Sequence, residues 1–229
     1  MKRAFPILAV LTAVLLSYAL YQALEVAPTE ATMGDVQRIF YYHVPSAWTA
    51  FLLFLTNFVA SVVYLIRRNT KADIVALVSA EVGVVFCTVV LVTGPIWARP
   101  VWGIWWTWDL RLTLTLVLWL IYVSYLMLRR FSSSGQTPLM AAVLAVFGAL
   151  DVPLVYFSIW YFRTQHPSPV IGGGGSLDPR MARVLLINWA AFLCFAVLVC
   201  WSRYRVERLQ REVEETQALE ALLEVRSVR

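Results

Sequence analysis

Residues 93–113 read TGPIWARPVWGIWWTWDLRLT and contain five of the ten tryptophans of the chain. The glycines and prolines of this stretch, at Gly94, Pro95, Pro100 and Gly103, predict breaks in any regular helix. Because long apolar runs flank it, the stretch is predicted to be a loop between two membrane spans. One or two tryptophans at a membrane interface are typical of an aromatic belt. Five of them beside opposite charges favour a platform for a flat, hydrophobic ligand with charged edges, and both interpretations stay open here.

The tryptophans belong to a longer pattern. They are Trp97, Trp102, Trp105, Trp106 and Trp108. Residues 102–113 match WGxWWxWDxRLT, after an upstream TG pair at 93–94. The pattern resembles the WWD signature of haem-handling membrane proteins of cytochrome c maturation, in the form typical of the CcmC family. Ala98 and Leu110 stand where the family pattern has Gly and Ala, but the aromatic and charged positions match. The resemblance implies that these tryptophans bind haem.

The composition is that of an integral membrane protein, with 60% hydrophobic and 14% charged residues. A helix needs about 20 apolar residues to cross a bilayer. We predict an all-α integral membrane protein with six transmembrane helices, a Trp-rich periplasmic loop and a short interfacial helix. The predicted spans are 5–24, 46–66, 73–93, 109–128, 138–162 and 182–202. They form one haem-handling domain over 1–203, with the Trp-rich loop at 94–109, followed by a cytoplasmic amphipathic helical tail at 204–229.

The basic residues predict the orientation, because cytoplasmic loops carry an excess of Lys and Arg. Of the 19 basic residues, 13 fall on one side of the predicted spans and 6 on the other. The poorer side receives Arg38, Arg99, Arg111, Arg163, Arg180 and Arg183. Both termini are therefore predicted to be cytoplasmic, with the Trp-rich loop in the periplasm of a bacterium. The first span is predicted to be retained rather than cleaved as a signal peptide. The basic residues behind the net charge of +5 lie at the ends of the predicted spans, so they are interpreted as determinants of membrane orientation rather than as a nucleic-acid-binding surface.

Both histidines of the chain lie in predicted outer loops. Asp35 is a candidate N-cap, and an apolar stripe leads from Val36 to His43 on an interfacial helix that Pro45 is expected to end. His166 follows the fifth span, beside proline-stiffened turns. A lone histidine on an apolar face is more often a core residue. Two of them beside a tryptophan platform suit ligation of one haem iron by two neutral imidazoles. The resemblance implies the same axial ligands, although Gln165 stands where the family pattern has Leu.

The two haem propionates need cationic partners, and arginine can donate two hydrogen bonds to one carboxylate. Arg38 and Arg111 are the favoured candidates, whereas Arg99 and Arg163 are open between this role and snorkelling to the interface. Asp109 is expected to pair with Arg111 or to cap the fourth span, and thereby to support the loop. These assignments rest partly on the resemblance.

Several polar residues fall inside the predicted spans. The resemblance supports Ser158 as a pocket residue. Asp151 is open between a functional role and a kink at Pro153, and Glu81 is a buried carboxylate without an evident partner. Four glycines at 172–175 are interpreted as a flexible connector. The three cysteines have no CxxC spacing and are interpreted as buried structural thiols.

The resemblance implies a function in cytochrome c biogenesis. The chain is expected to hold haem b at the periplasmic face of the bacterial inner membrane and to deliver it to the haem chaperone CcmE. The implied partners are the ABC transporter components CcmA and CcmB, the small membrane protein CcmD and the lipid bilayer, without nucleic acid. No Walker motif is present in the sequence, so any ATP hydrolysis belongs to a partner. A transfer protein is favoured over an enzyme, with assistance in covalent attachment of haem to CcmE left open.

Three other functions are considered. A cytochrome c synthetase-type haem lyase of the same superfamily has more spans and more histidines. A membrane b-type cytochrome subunit places its histidine ligands within the spans rather than at their outer boundary. A small-molecule permease with an incidental aromatic belt would bind no haem.

Overall fold

The computed structural model describes residues 3–132, 134–162, 164–167 and 177–227, with side-chain surroundings through residue 224. Seven α-helices account for most of this part of the chain. They are α1 Ala4–Tyr21, α2 Phe40–Arg67, α3 Thr70–Trp102, α4 Leu110–Phe131, α5 Thr137–Ala149, α6 Asp151–Tyr161 and α7 Pro179–Ser227. A π-helical turn, Gln22–Val26, extends α1, and a 3₁₀ turn, Asp35–Ile39, leads into α2.

The prediction of six membrane spans in an all-helical protein is confirmed. Six helical segments of the described chain are long and apolar enough to cross a membrane. His43 on α2 and His166 beyond α6 lie close together at one end of the bundle, called here the histidine end. At the core, the Phe54 ring of α2 stacks on Tyr122 of α4 with ring centroids 3.9 Å apart. Gly83 of α3 lies against the same ring, where a Cβ would be 2.8 Å from Cε1 of Phe54.

Pro45 does not separate a short interfacial helix from the second span. The 3₁₀ turn Asp35–Ile39 continues directly into α2, and Pro45 lies within this helix. The Pro ring removes a single amide donor, the one that would bond to the carbonyl of Tyr41. The loss of one hydrogen bond costs less free energy than a break in the helix, because a break would leave several backbone groups unpaired near the membrane. The side chain of Asp35 does not cap the turn and accepts instead from Nε of Arg38 at 3.1 Å.

The prediction that Gly94, Pro95 and Pro100 interrupt the helix is wrong. Helix α3 runs through all three and ends at Trp102, so the non-helical connection to α4 spans only 103–109. Gly103 does end the helix, because it adopts the left-handed conformation (φ 78°) and its N–H bonds to the carbonyl of Arg99 at 3.0 Å. The third span therefore carries the first half of the Trp-rich stretch on its last turns.

The fifth span is broken at Leu150, between α5 and α6. Pro153 has no N–H for the carbonyl of Ala149, and the Leu150 N–H bonds to Phe147 at 3.1 Å in a tighter turn. Of the two roles considered for Asp151, the kink is therefore present. Its side chain is buried, and among the described residues its Oδ2 has no hydrogen-bond partner.

Two ion-pair groups join the helices at the end opposite the histidines. Asp73, in the first turn of α3, accepts hydrogen bonds from Arg129 of α4 and pairs with Arg211 of α7 at 2.9 Å. Glu81, whose partner was not evident from the sequence, receives Nε and Nη2 of Arg203, both at 2.8 Å. Helix α7 is continuous from Pro179 to Ser227, so the predicted tail is an extension of the sixth span.

Candidate functional site: two imidazoles over an apolar cavity

His43 and His166 lie side by side at the histidine end. Their ring centroids are 6.4 Å apart and their planes are tilted by 33°. His43 lies in the first turn of α2 and is 8% exposed, while His166 lies in the described segment 164–167 beyond α6. The fold therefore brings together two residues that are 123 positions apart in the chain, at 43 and 166.

The separation of the two rings suits ligation of one metal ion from opposite sides. A ligating imidazole nitrogen lies about 2 Å from its metal ion. It lies about 1.1 Å from its own ring centre, given ring bonds close to the ~1.33 Å of a conjugated C–N bond. Two such rings on opposite sides of one ion therefore have centres about 6 Å apart. The observed 6.4 Å agrees with this value.

Both imidazoles have their Nδ1 atom engaged. Nδ1 of His43 lies 2.9 Å from Oγ1 of Thr93, and Nδ1 of His166 lies 2.9 Å from the carbonyl oxygen of Pro167. Burial, together with the nearby Arg111 guanidinium, lowers the pKa of His166 to about 4, despite the opposing effects of the Pro167 carbonyl and Asp109. His166 is consequently neutral at neutral pH, as a metal-ligating imidazole must be.

The two histidines line a cavity between α2, α3, α4 and α6. The cavity has a volume of about 1010 Å³, part of it open to solvent, and a predominantly apolar wall. Its floor includes Phe54, Cys87 and Val155, and its polar lining at the histidine end includes Arg111. An apolar wall with a few polar groups at one end is typical of small-molecule sites and suits a flat, apolar ligand with a polar edge.

Three of the five clustered tryptophans line the cavity, namely Trp97, Trp102 and Trp106. Trp97 packs edge-on against His43, with centroids 5.9 Å apart. Among the described residues, Nε1 of Trp97 and of Trp106 is buried without a hydrogen-bond partner. Trp105 and Trp108 lie outside the cavity and are 59% and 75% exposed.

The candidate arginines are placed differently. Arg111 lines the cavity, and its Nη1 donates to the carbonyl of Val155 at 3.3 Å. Arg38 does not line the cavity. Its Nη1 donates to the carbonyl of Ala23 at 2.7 Å, in the helical turn that ends the first span. Arg99 donates to the carbonyl of Gly103, and Arg163 lies outside the described residues, as does the glycine run 172–175.

Asp109 and Ser158 support the walls of the site. Asp109 caps α4, since Oδ1 accepts from the Leu112 N–H at 3.0 Å and Oδ2 accepts from the Thr107 hydroxyl at 3.1 Å. Capping was one of its two predicted roles. Ser158 is buried, and its hydroxyl donates to the carbonyl of Val155 at 2.7 Å. It thus lies behind a residue of the cavity wall rather than in the wall.

Most of the apolar wall was not anticipated from the sequence. On α2 it consists of Ala47, Ala50, Phe51 and Phe54, which follow His43 at i+4, i+7, i+8 and i+11. This is the periodicity of one helix face. The same periodicity identifies these residues in the sequence once the predicted second span is extended through Pro45. Thr93, the partner of His43, was noted only as part of the TG pair.

Comparisons with known proteins identify the family of this chain. Residues 1–219 match the family model described as CcmC: Heme exporter protein C. The chain is 36% identical over 222 residues to the Heme exporter protein C of Bradyrhizobium diazoefficiens, covering 96% of this chain and 84% of that protein. It is 30% identical over 201 residues to the protein of that name from Escherichia coli K12, covering 87% and 82% of the two chains. A putative cytochrome c biosynthesis ccmC-like mitochondrial protein of Arabidopsis thaliana is 32% identical over 180 residues, 78% of this chain and 68% of its own. The chain belongs to the Heme exporter protein C (CcmC) family.

Proposed function

We propose that this protein binds haem b at the periplasmic face of the inner membrane, in the course of cytochrome c biogenesis, and presents it to the haem chaperone CcmE. His43 and His166 would hold its iron through their imidazole nitrogens. The observation that carries the proposal is the approach of the only two histidines of the chain to 6.4 Å above an apolar cavity. Membership of the CcmC family and the names of the relatives support haem as the ligand.

The donors around the cavity suit a ligand with carboxylates at its edge. Trp97 and Trp106 have buried N–H groups without partners among the described residues, and Arg111 has a single hydrogen bond there, to a backbone carbonyl. Buried donors normally have acceptors, so these side chains fit a ligand that carries acceptors to them. Arg111 is therefore assigned to the propionates. Arg38 is assigned to holding the end of the first span.

Haem supplies an iron that two imidazole nitrogens can ligate. The residues of the chain hold it in place. The neutral imidazoles are presented from α2 and from the segment after α6, while Trp97, Trp102 and Trp106 form part of the apolar wall that excludes water. Trp105 and Trp108 are exposed beside this wall and are assigned to contact with the chaperone. An interfacial belt is the alternative role for such residues.

The remaining proposed partners are those that the resemblance of the tryptophan pattern implies. The ABC transporter components CcmA and CcmB and the small membrane protein CcmD are proposed to form a complex with this chain. Because the sequence has no Walker motif, ATP hydrolysis is assigned to the transporter. Haem attachment is assigned to the chaperone, with this chain as a positioning platform.

The test is the visible spectrum of the purified protein after titration with haem. The wild type is expected to give a six-coordinate, low-spin spectrum, because both imidazoles ligate the iron. His43→Ala and His166→Ala should each convert it to a high-spin spectrum or abolish binding. Gln165→Ala, which changes an exposed neighbour of His166, is the matched control. A wild type without a Soret band would favour a permease, and an unchanged spectrum in either histidine variant would remove that residue as a ligand.

A further inference from the structure

We propose that Thr93 is a positioning residue, which holds His43 in the tautomer that presents Nε2 to the cavity. The inference rests on the proposed function in so far as Nε2 is meant for haem iron. The hydrogen bonds that support the inference join residues of the protein to one another and do not involve a ligand. Thr93 lies on α3 and His43 on α2, so the contact also joins the two helices that form one side of the cavity.

The assignment follows from the number of protons available. Oγ1 of Thr93 lies 2.6 Å from the carbonyl oxygen of Val89 and 2.9 Å from Nδ1 of His43. A carbonyl oxygen can only accept, so the single hydroxyl proton is donated to Val89. The hydroxyl oxygen is then an acceptor toward His43, and Nδ1 must carry the proton. In a neutral imidazole this leaves Nε2 with a free lone pair.

His166 is held in the same tautomer by a different acceptor. Its Nδ1 lies 2.9 Å from the carbonyl oxygen of Pro167, which can only accept. Nδ1 of His166 is therefore protonated, and Nε2 is free here as well. Both rings line the same cavity. The two acceptors therefore keep Nε2 of both histidines unprotonated, so each ring has a nitrogen lone pair for a ligand before any ligand binds.

Such an acceptor fixes the orientation of a ligating imidazole and increases its basicity, and its loss typically weakens metal affinity 10–100-fold. The acceptor for His166 is a backbone carbonyl that no substitution removes. Thr93 is a side chain and can be changed. Thr93→Val keeps the shape of the side chain and removes the hydroxyl, whereas Thr93→Ser keeps the hydroxyl.

The first measurement needs no haem. The chain has two histidines, so selective ¹⁵N labelling of histidine in detergent gives one pair of ring signals for each, assigned with His166→Ala. At a pH where both rings are neutral, the wild type is expected to show a protonated Nδ1 and an unprotonated Nε2 for His43. In Thr93→Val the two His43 signals should move toward each other as the tautomers mix, with His166 unchanged. A wild-type His43 protonated on Nε2, or signals unaffected by the valine, would overturn the inference.

The second measurement is haem affinity and the electron paramagnetic resonance of the ferric complex. Thr93→Val is expected to bind haem about 10–100-fold more weakly and to shift the low-spin g values, while Thr93→Ser should restore both. Thr56→Val is the matched control, because that hydroxyl also donates to its own helix, to Leu52 at 2.8 Å, but contacts no histidine. Equal affinity and equal g values in Thr93→Val and wild type would contradict the role of Thr93.

The two experiments separate this inference from the proposed function. If the wild type binds no haem, the proposed function fails, yet the tautomer of His43 can still be measured. If the wild type binds haem and loses it in His43→Ala but not in Thr93→Val, only the role of Thr93 fails.

Discussion

Arg111 is the cationic residue whose position matters most to the site. It lies on the first turn of α4, which Asp109 caps, and its guanidinium enters the cavity beside the two histidines. Its single side-chain hydrogen bond to the described residues goes to the carbonyl of Val155, so its other N–H donors are available to a ligand. A cation held in an apolar wall interacts with a carboxylate more strongly than one in water.

Arg111→Gln is therefore expected to weaken haem binding about 10–100-fold, since a hydrogen bond to a charged group is worth about 1.5–3 kcal/mol. The check is a titration with haem and with its dimethyl ester, which lacks the carboxylates. Wild type should prefer haem, and the variant should bind both about equally. Arg99→Gln is the control, because Arg99 is exposed and bonds to Gly103. An undiminished preference in Arg111→Gln would assign the propionates to other residues.

The exposed tryptophans allow a second residue-level test. Trp105 and Trp108 do not line the cavity, so replacing both with alanine is expected to leave the haem spectrum intact. Transfer of haem to purified CcmE should fall at least severalfold if these rings form the contact surface. Phe131→Ala, at an equally exposed aromatic residue of the opposite end, should transfer normally. Loss of bound haem in the double variant would instead place these tryptophans in the haem site.

At the scale of helices, the site depends on α3 being held between α2, α4 and α7. Asp73 is 1% exposed and forms ion pairs with Arg129 and Arg211, which lie on two different helices. Arg129 also lies over the Tyr125 ring at 5.0 Å. The carboxylate therefore joins three helices at the end opposite the cavity.

Asp73→Asn should destabilise the bundle by about 3–5 kcal/mol, because it leaves the buried Arg129 without a counter-charge. Arg211 is more exposed and keeps its ion pair with Glu207. Unfolding in detergent, followed by circular dichroism, measures the change. Glu81→Gln removes the more exposed pair with Arg203 and should cost only about 0–1 kcal/mol. Equal losses in the two variants would show that burial does not distinguish the two ion pairs.

At the scale of the whole molecule, the proposed orientation places the connections 103–109 and 132–136 on opposite sides of the membrane. The first connection adjoins the cavity and the second joins α4 to α5. Because Lys and Arg are in excess on the side of the second connection, we propose that this side faces the cytoplasm.

This orientation predicts the labelling of single cysteines in intact cells. In a background without Cys87, Cys194 and Cys200, Ile104→Cys should react with a membrane-impermeant maleimide and Ser134→Cys should not. After permeabilisation both should react, since both positions are exposed. The reverse pattern would place the haem site on the cytoplasmic side and exclude delivery to a periplasmic chaperone.

The amino-acid sequence alone determined the class of the protein. It also predicted as site residues two histidines, three tryptophans and one arginine that line the cavity, namely His43, His166, Trp97, Trp102, Trp106 and Arg111. Six apolar runs require six helices, because backbone polar groups in lipid must be paired within a span. The tryptophan pattern and the two histidines predicted a ligand site, and the proposed function keeps it at the cavity that these residues line. These features are local, so composition and spacing are sufficient to show them.

The tertiary structure decided which of those residues face one cavity. Helix α3 continues through Pro95 and Pro100 because the bundle offsets the loss of single hydrogen bonds, and this turns Trp97 and Trp102 inward while Trp105 and Trp108 stay exposed. The structure also separated Arg111 from Arg38 and placed Thr93 against His43. Such contacts join residues distant in the chain, and they depend on helix phase and packing. No local pattern of residues contains that information.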